Sequence, residues 1–145
     1  MADSPMFVLL DTNHFREVAR GADHAAAMER RATEARLDLF TTIITVQEAT
    51  AGWLALINGV TAGRDQIRAY QRFQATVAAF HKFDILPFDE EAANIFHRLQ
   101  ADRVRIGTMD LKIASICLAH DATLLTRNLV DFEKVPGLRV ENWLD

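Results

Sequence analysis

Short apolar runs that hand over to helical stretches constrain this chain more than any other feature. Phe7 to Leu10 and Leu39 to Ile44 are rich in β-branched or large apolar residues, as expected of strands buried on both faces of a sheet, and Ile85 to Phe88 and Ala122 to Leu125 are shorter runs of the same kind. Between them, Asp23 to Leu37 is dense in Ala, Glu and Arg, and Arg64 to Phe83 places Ile67, Tyr70, Phe73, Val77 and Phe80 at three-and-four spacing. Asp89 to Asp102 and Asp110 to His120 carry apolar sides of their own. Alternation of strands with helices means an α/β fold. The segment NGVTAG, Asn58 to Gly63, reads as a helix-to-helix turn.

At 145 residues, half of them hydrophobic, the chain can bury one core without disulfides or a structural metal. A single domain over 1–145 is expected, with 1–5 as a short flexible tail. The lone Cys117 excludes an internal disulfide framework, and no paired Cys or Cys-His spacing suggests zinc. MADSPMFVLL lacks the basic start and long apolar run of a signal peptide, and no window reaches the ~18 apolar residues of a membrane span. A cytoplasmic protein away from membranes is the expectation. A net charge of -4 argues against a general nucleic-acid coat but leaves room for a local basic surface.

The stretch FVLLDTN runs an apolar strand straight into Asp11, a costly place for a carboxylate unless something shares its charge. In an open α/β sheet, reacting groups gather at the carboxyl ends of strands. Asp11 follows the first run, and Glu48, four residues past the second, is expected on the first turn of the next helix. Asp110 opens the helix LKIASICLA, and Asn128 and Asp131 follow ATLLT. Taken singly, Asp11, Asp110 and Asp131 also suit helix capping, and Glu48 suits a solvated first turn. As a set they would repel one another, and one would take up a proton unless a cation joined them. Oxygen-only ligands suit Mg2+, with Mn2+ as substitute, and such an ion activates water for phosphodiester hydrolysis.

The blocks LLDTN, TTIITVQEATAGW, GTMDLKIASICLAH and TLLTRNLVDFEKVPGLRVENW, in this order over nearly the whole chain, resemble PIN-domain ribonucleases and, more narrowly, the VapC toxins of bacterial toxin-antitoxin pairs. The resemblance implies a compact α/β/α domain with a central, mainly parallel sheet. It also implies Mg2+-dependent endoribonuclease activity on structured RNA such as tRNA or rRNA, inhibition by a VapB-type antitoxin, and a homodimer. The family's first three acids match Asp11, Glu48 and Asp110. At its fourth acidic position this chain has Asn128, with Asp131 three residues on. Asp11 and Asp110 are the expected direct metal ligands, with Glu48 and Asp131 reaching the ion directly or through water.

Thr12, Asn13, Thr126 and Asn128 are expected to orient these carboxylates by hydrogen bonds. Arg103, Arg105 and Lys112, which bracket Asp110, together with Arg127, are candidates for RNA phosphates. Arg64, Arg68 and Arg72 recur every four residues and read as a solvated face. His14 is expected on the flank of the first helix without a catalytic role, and Cys117 as a small buried hydrophobe. Phe15, Trp53, Leu54 and Leu56 are core candidates, some of which the resemblance would place in an antitoxin groove. The rival reading is a PIN fold that binds RNA or protein without cutting, its fourth acid replaced by Asn128. A phosphatase of the haloacid dehalogenase type would want a second acid where Asn13 stands.

Overall fold

A computed structural model describes residues 7–20 and 23–145, so the tail expected at 1–5 lies outside the described residues. The strands are β1 (Val8–Leu10), β2 (Leu39–Thr42), β3 (Asp84–Leu86), β4 (Thr123–Leu125) and β5 (Arg139–Glu141), joined in the order β3-β2-β1-β4-β5. Every pairing is parallel: Leu9 lies beside Phe40 on one side and Leu124 on the other. Parallel neighbours require crossovers, which the helices supply. They are α1 (Thr12–Arg20), α2 (Asp23–Glu34), α3 (Ile43–Asn58), α4 (Ile67–Phe80), α5 (Glu90–Ala101), α6 (Thr108–Ala119) and the short α7 (Leu129–Phe132).

Side chains alternate across the central strand, and this divides the core into two layers. Val8 and Leu10 face Phe15, Val18, Ala49, Phe80 and Leu125 on the α1–α3–α4 side. Leu9 faces Ile44, Phe96, Ile113, Ile116 and Leu124 on the α5–α6 side. The sheet is therefore covered on both faces, as the uninterrupted apolar runs require.

Three boundaries differ from the sequence reading. The second strand stops at Thr42, whose hydroxyl accepts the Thr45 main-chain N–H at 3.1 Å and caps α3, so Ile43 and Ile44 belong to the helix. The third strand is Asp84–Leu86 and ends where Pro87 offers no N–H to the ladder. β5 is an additional edge strand, paired to β4 through Val140 and Leu124. The expected turn after α3 is present: Gly59 closes the helix, and Gly63 adopts φ 104, open to glycine, before a single 3-10 turn at Arg64–Gln66 leads into α4.

A carboxylate cluster as candidate active site

At the carboxyl end of β1, the Asp11 main-chain N–H donates to the Leu125 carbonyl at 3.1 Å, pinning the exit of β1 to that of β4. Its carboxylate Oδ1 accepts the His14 main-chain N–H at 2.9 Å, so Asp11 caps α1. Capping and membership of an acidic site are therefore compatible in this residue. Asp110 does not cap: the α6 cap is Gly107, and Asp110 is the third helical residue. Asp131 is likewise the third residue of α7, behind the cap Asn128.

Since α3 begins at Ile43, Glu48 lies on its second turn, correcting the first-turn expectation. Its Oε1 accepts a 2.6 Å hydrogen bond from the Thr12 hydroxyl, which also lies 3.4 Å from the Thr45 hydroxyl. Thr12 thus aims a carboxylate, as expected of it. Thr45, fully buried, was not anticipated; its signal was the T-x-x-T spacing of a helix start, with Thr42 as cap.

The decisive observation is electrostatic. The Asp110 carboxyl is pushed up from 3.8 to about 6, first by burial and then by the negative charges of Glu48, Asp11 and Asp131. Four acids from four segments share one field. Asp131 goes the other way, held below its ordinary range by the Asn128 amide, which donates to Oδ2 at 3.0 Å, and by Lys134, 3.3 Å from Oδ1. Asn128 therefore enters as a donor that fixes Asp131. The Thr126 hydroxyl accepts the Asn128 main-chain N–H at 2.9 Å and shapes the same turn. Lys134 was missed by the sequence reading, although its i+3 spacing from Asp131 was a signal.

The donors are all oxygen, which fits a hard divalent cation and not zinc. Among the described residues, no three His, Cys, Asp or Glu side chains already close on one point at metal-binding distance. An open arrangement is what mutual repulsion between carboxylates produces.

Asn13 departs from expectation: it is exposed and faces a groove instead of the acids. His14 departs further. It is fully buried, not on the helix flank; Nε2 accepts the Trp143 main-chain N–H at 3.4 Å, and Nδ1 has no hydrogen-bond partner and lies 3.5 Å from Asp11 Oδ1. Arg103, at φ 61, and Arg105 are exposed in the connection leading into α6. Lys112 is half-buried, two residues past Asp110 and so on a different face of the helix. Arg127 pairs with Glu17 at 3.6 Å and Asp145 at 3.4 Å.

The groove has a volume of about 810 Å³ and runs between α1, α3 and α4. Phe15, Trp53 and Leu56 line it, with Arg16, Arg20, Arg72 and Arg127 among the polar residues. Arg72 stays exposed, as its solvated face requires, while also bordering the groove. Trp53 is fixed by its Nε1–H, which donates to the Thr76 hydroxyl at 2.9 Å. Cys117 is buried as expected, and burial pushes its thiol up to about 12. Among the described residues, no helix is long and apolar enough to cross a membrane.

The PIN domain family model matches residues 8–138. The chain belongs to the PIN-domain family. Among its relatives, ribonuclease VapC1 of Rickettsia felis is 42% identical over 62 residues, 40% of this chain and 46% of that protein. The tRNA(fMet)-specific endonuclease VapC of Salmonella typhimurium is 31% identical over 86 residues, 56% of this chain and 65% of that one. The matched stretches thus span about half to two thirds of these relatives. The PIN fold itself is shared over nearly the full length with VapBC2 of Rickettsia felis bound to promoter DNA, with a TM-score of 0.77 and 22% identity over 95% of this chain and 99% of that one. FitAB bound to an IR36 DNA fragment matches with a TM-score of 0.70 and 26% identity over 95% and 96% of the two chains.

Proposed function

We propose that this PIN domain is a Mg2+-dependent endoribonuclease that cuts structured RNA, tRNA or rRNA, and serves as the toxin held in check by a VapB-type antitoxin. The observation that carries the reading is the gathering of Asp11, Glu48, Asp110 and Asp131 from four segments near enough to act on one another, with Thr12 tying the Asp11 loop to Glu48, since clustered anions of this kind are costly unless a cation offsets them. The VapC relatives supply the RNA substrate class.

Asp11 and Asp110 are the residues assigned to hold the ion, with Glu48 and Asp131 completing its surroundings. When bound, the ion supplies positive charge that activates water and offsets charge on the phosphodiester; Mn2+ would serve as well. Thr12 holds Glu48, and Asn128 and Lys134 hold Asp131, so the side-chain freedom of both carboxylates is restricted. Arg103 and Arg105, exposed beside the start of α6, are assigned to flanking RNA phosphates. The groove over Phe15, Trp53 and Leu56 suits an apolar antitoxin segment, and the exposed Ile67, Tyr70 and Val77 of α4 offer apolar surface for a homodimer.

A non-cutting RNA- or protein-binding module is the second reading, favoured by Asn128 at the fourth acidic position. Purified protein incubated with tRNA and rRNA, with and without Mg2+ or Mn2+, separates the two. The nuclease reading expects cleavage that needs the ion and falls by roughly a thousandfold in Asp11→Ala and in Asp110→Ala, as the loss of several kcal/mol of charge stabilisation implies. Binding of RNA without cleavage in either ion would establish the second reading instead. Metal-independent cleavage unchanged in both variants would overturn the site assignment.

A further inference from the structure

We propose that His14 is a positioning residue that turns the Asp11 carboxylate toward the cation, and that the segment around Trp143 sets the histidine for this task. The inference rests on the metal-site reading above and assigns a residue that reading leaves idle.

His14 is completely enclosed, and a main-chain N–H can only donate, so the contact with Trp143 fixes Nε2 as the acceptor. An imidazole nitrogen that accepts carries no proton, which leaves the proton on Nδ1. That nitrogen lies 3.5 Å from Asp11 Oδ1, short of a formed hydrogen bond, and has no hydrogen-bond partner. The same Oδ1 accepts the His14 main-chain N–H at 2.9 Å. One residue therefore sets a formed main-chain hydrogen bond and an unpartnered ring nitrogen against the same oxygen. Oδ2 would be the oxygen left to hold the ion. Closing the remaining Nδ1–Oδ1 gap requires only a small shift, and ligand contacts of this kind commonly tighten once the site is filled.

The donor on the other side of the ring is seated firmly. Trp143 Nε1–H donates to Glu141 Oε1 at 2.9 Å, the Arg31 guanidinium stands 4.1 Å over the indole, and the adjacent Leu144 is buried in the α1–α3–α4 layer. The path from this segment to Asp11 is thus one main-chain N–H, one ring and one carboxylate.

The test is Mn2+ titration by calorimetry, with folding followed by circular dichroism, in the wild type, His14→Asn, His14→Gln and His14→Leu. The Asn side chain can place an N–H near the Nδ1 position, whereas Gln reaches the Nε2 position and Leu offers neither. The expected order is near-wild-type affinity for His14→Asn and a loss of about 10- to 100-fold for His14→Gln and His14→Leu. Nitrogen-15 spectra of the wild type should show the proton on Nδ1, an observation that needs no variant. The proposal fails if the proton sits on Nε2, or if folded His14→Gln or His14→Leu binds Mn2+ as tightly as the wild type. Wild-type protein that binds no Mn2+ would overturn the metal reading and this inference with it, while equal binding in all four proteins would overturn the inference alone.

Discussion

On the α5–α6 side of the sheet, Ile113, Ile116, Cys117 and Leu124 are wholly enclosed, whereas on the α1–α3–α4 side Phe15 stacks on Phe80 at 3.9 Å beside a groove that leaves Leu56 exposed at 47%. The first layer surrounds α6 so completely that Ile113 to Cys117 are buried in succession, Ser115 among them with its hydroxyl donating to the Leu111 carbonyl at 2.7 Å. Such a layer fastens Asp110 to the sheet. The second layer is aromatic, carries the buried His14, and has an open flank beside Arg16, Arg20 and Arg72. One face supplies rigidity to the acidic cluster, and the other keeps a surface for contacts.

The comparison can be broken most directly by Ile116→Ala in the sealed layer. A cavity there should cost ~2–5 kcal/mol and lower the melting temperature by roughly 10 °C, read by calorimetry. A smaller effect of opposite sign is expected from Asp110→Asn. The unfolded chain ionises this group near 3.8 and the folded chain near 6, so between those values the folded state holds a proton that the unfolded state has released. Stability assignable to Asp110 therefore declines as pH rises through that window, and the cost is complete above it. Without divalent ions near neutral pH, Asp110→Asn should be more stable than the wild type by ~1–2 kcal/mol, a figure reduced for the solvent that screens this partly open carboxylate. Thermal melts at acidic and neutral pH check both the sign and the window.

On the groove side, Leu56→Ala should change stability by no more than ~0.5 kcal/mol in denaturant unfolding, since the side chain is already half in water. A cost like that of Ile116→Ala would mean that the two layers do not differ as described. The smallest effect concerns Cys117, whose thiol is pushed up to about 12 by burial and donates to the Ala122 carbonyl at 3.2 Å. Thiol reagents near neutral pH should label the native chain only as fast as it unfolds.

The parallel architecture was legible because buried strands write themselves as continuous apolar runs and the helices between them as three-and-four spacing. The same property hid the end of β2: LFTTII is apolar into α3, and composition alone cannot separate a buried strand from the buried first turn that follows it. Glu48 was displaced by one turn as a result. β5, with Arg139 and Glu141 around Val140, has too little apolar character to stand out, and its pairing to β4 is a tertiary fact. Asp11, Glu48 and Asp131 were readable as acids that follow apolar runs, and Asp110 as an acid at a helix start. That Asn128 is a donor to Asp131 is a local i,i+3 contact that residue type alone does not reveal, whereas the enclosure of His14 with Trp143 against its ring depended on residues 129 apart in sequence meeting in space.

The pairing of β1 with β4 sets Leu10 beside Leu125, and Asp11 hangs from the Leu125 carbonyl. During synthesis on a ribosome, then, the first acid waits unseated while more than a hundred further residues are made. A stalled product ending before Thr108 would contain Asp11 and Glu48 but neither Asp110 nor the strand that anchors them, and should leave the surrounding RNA intact. The proposed site would thus be completed only after the last parallel strands of the sheet have been made.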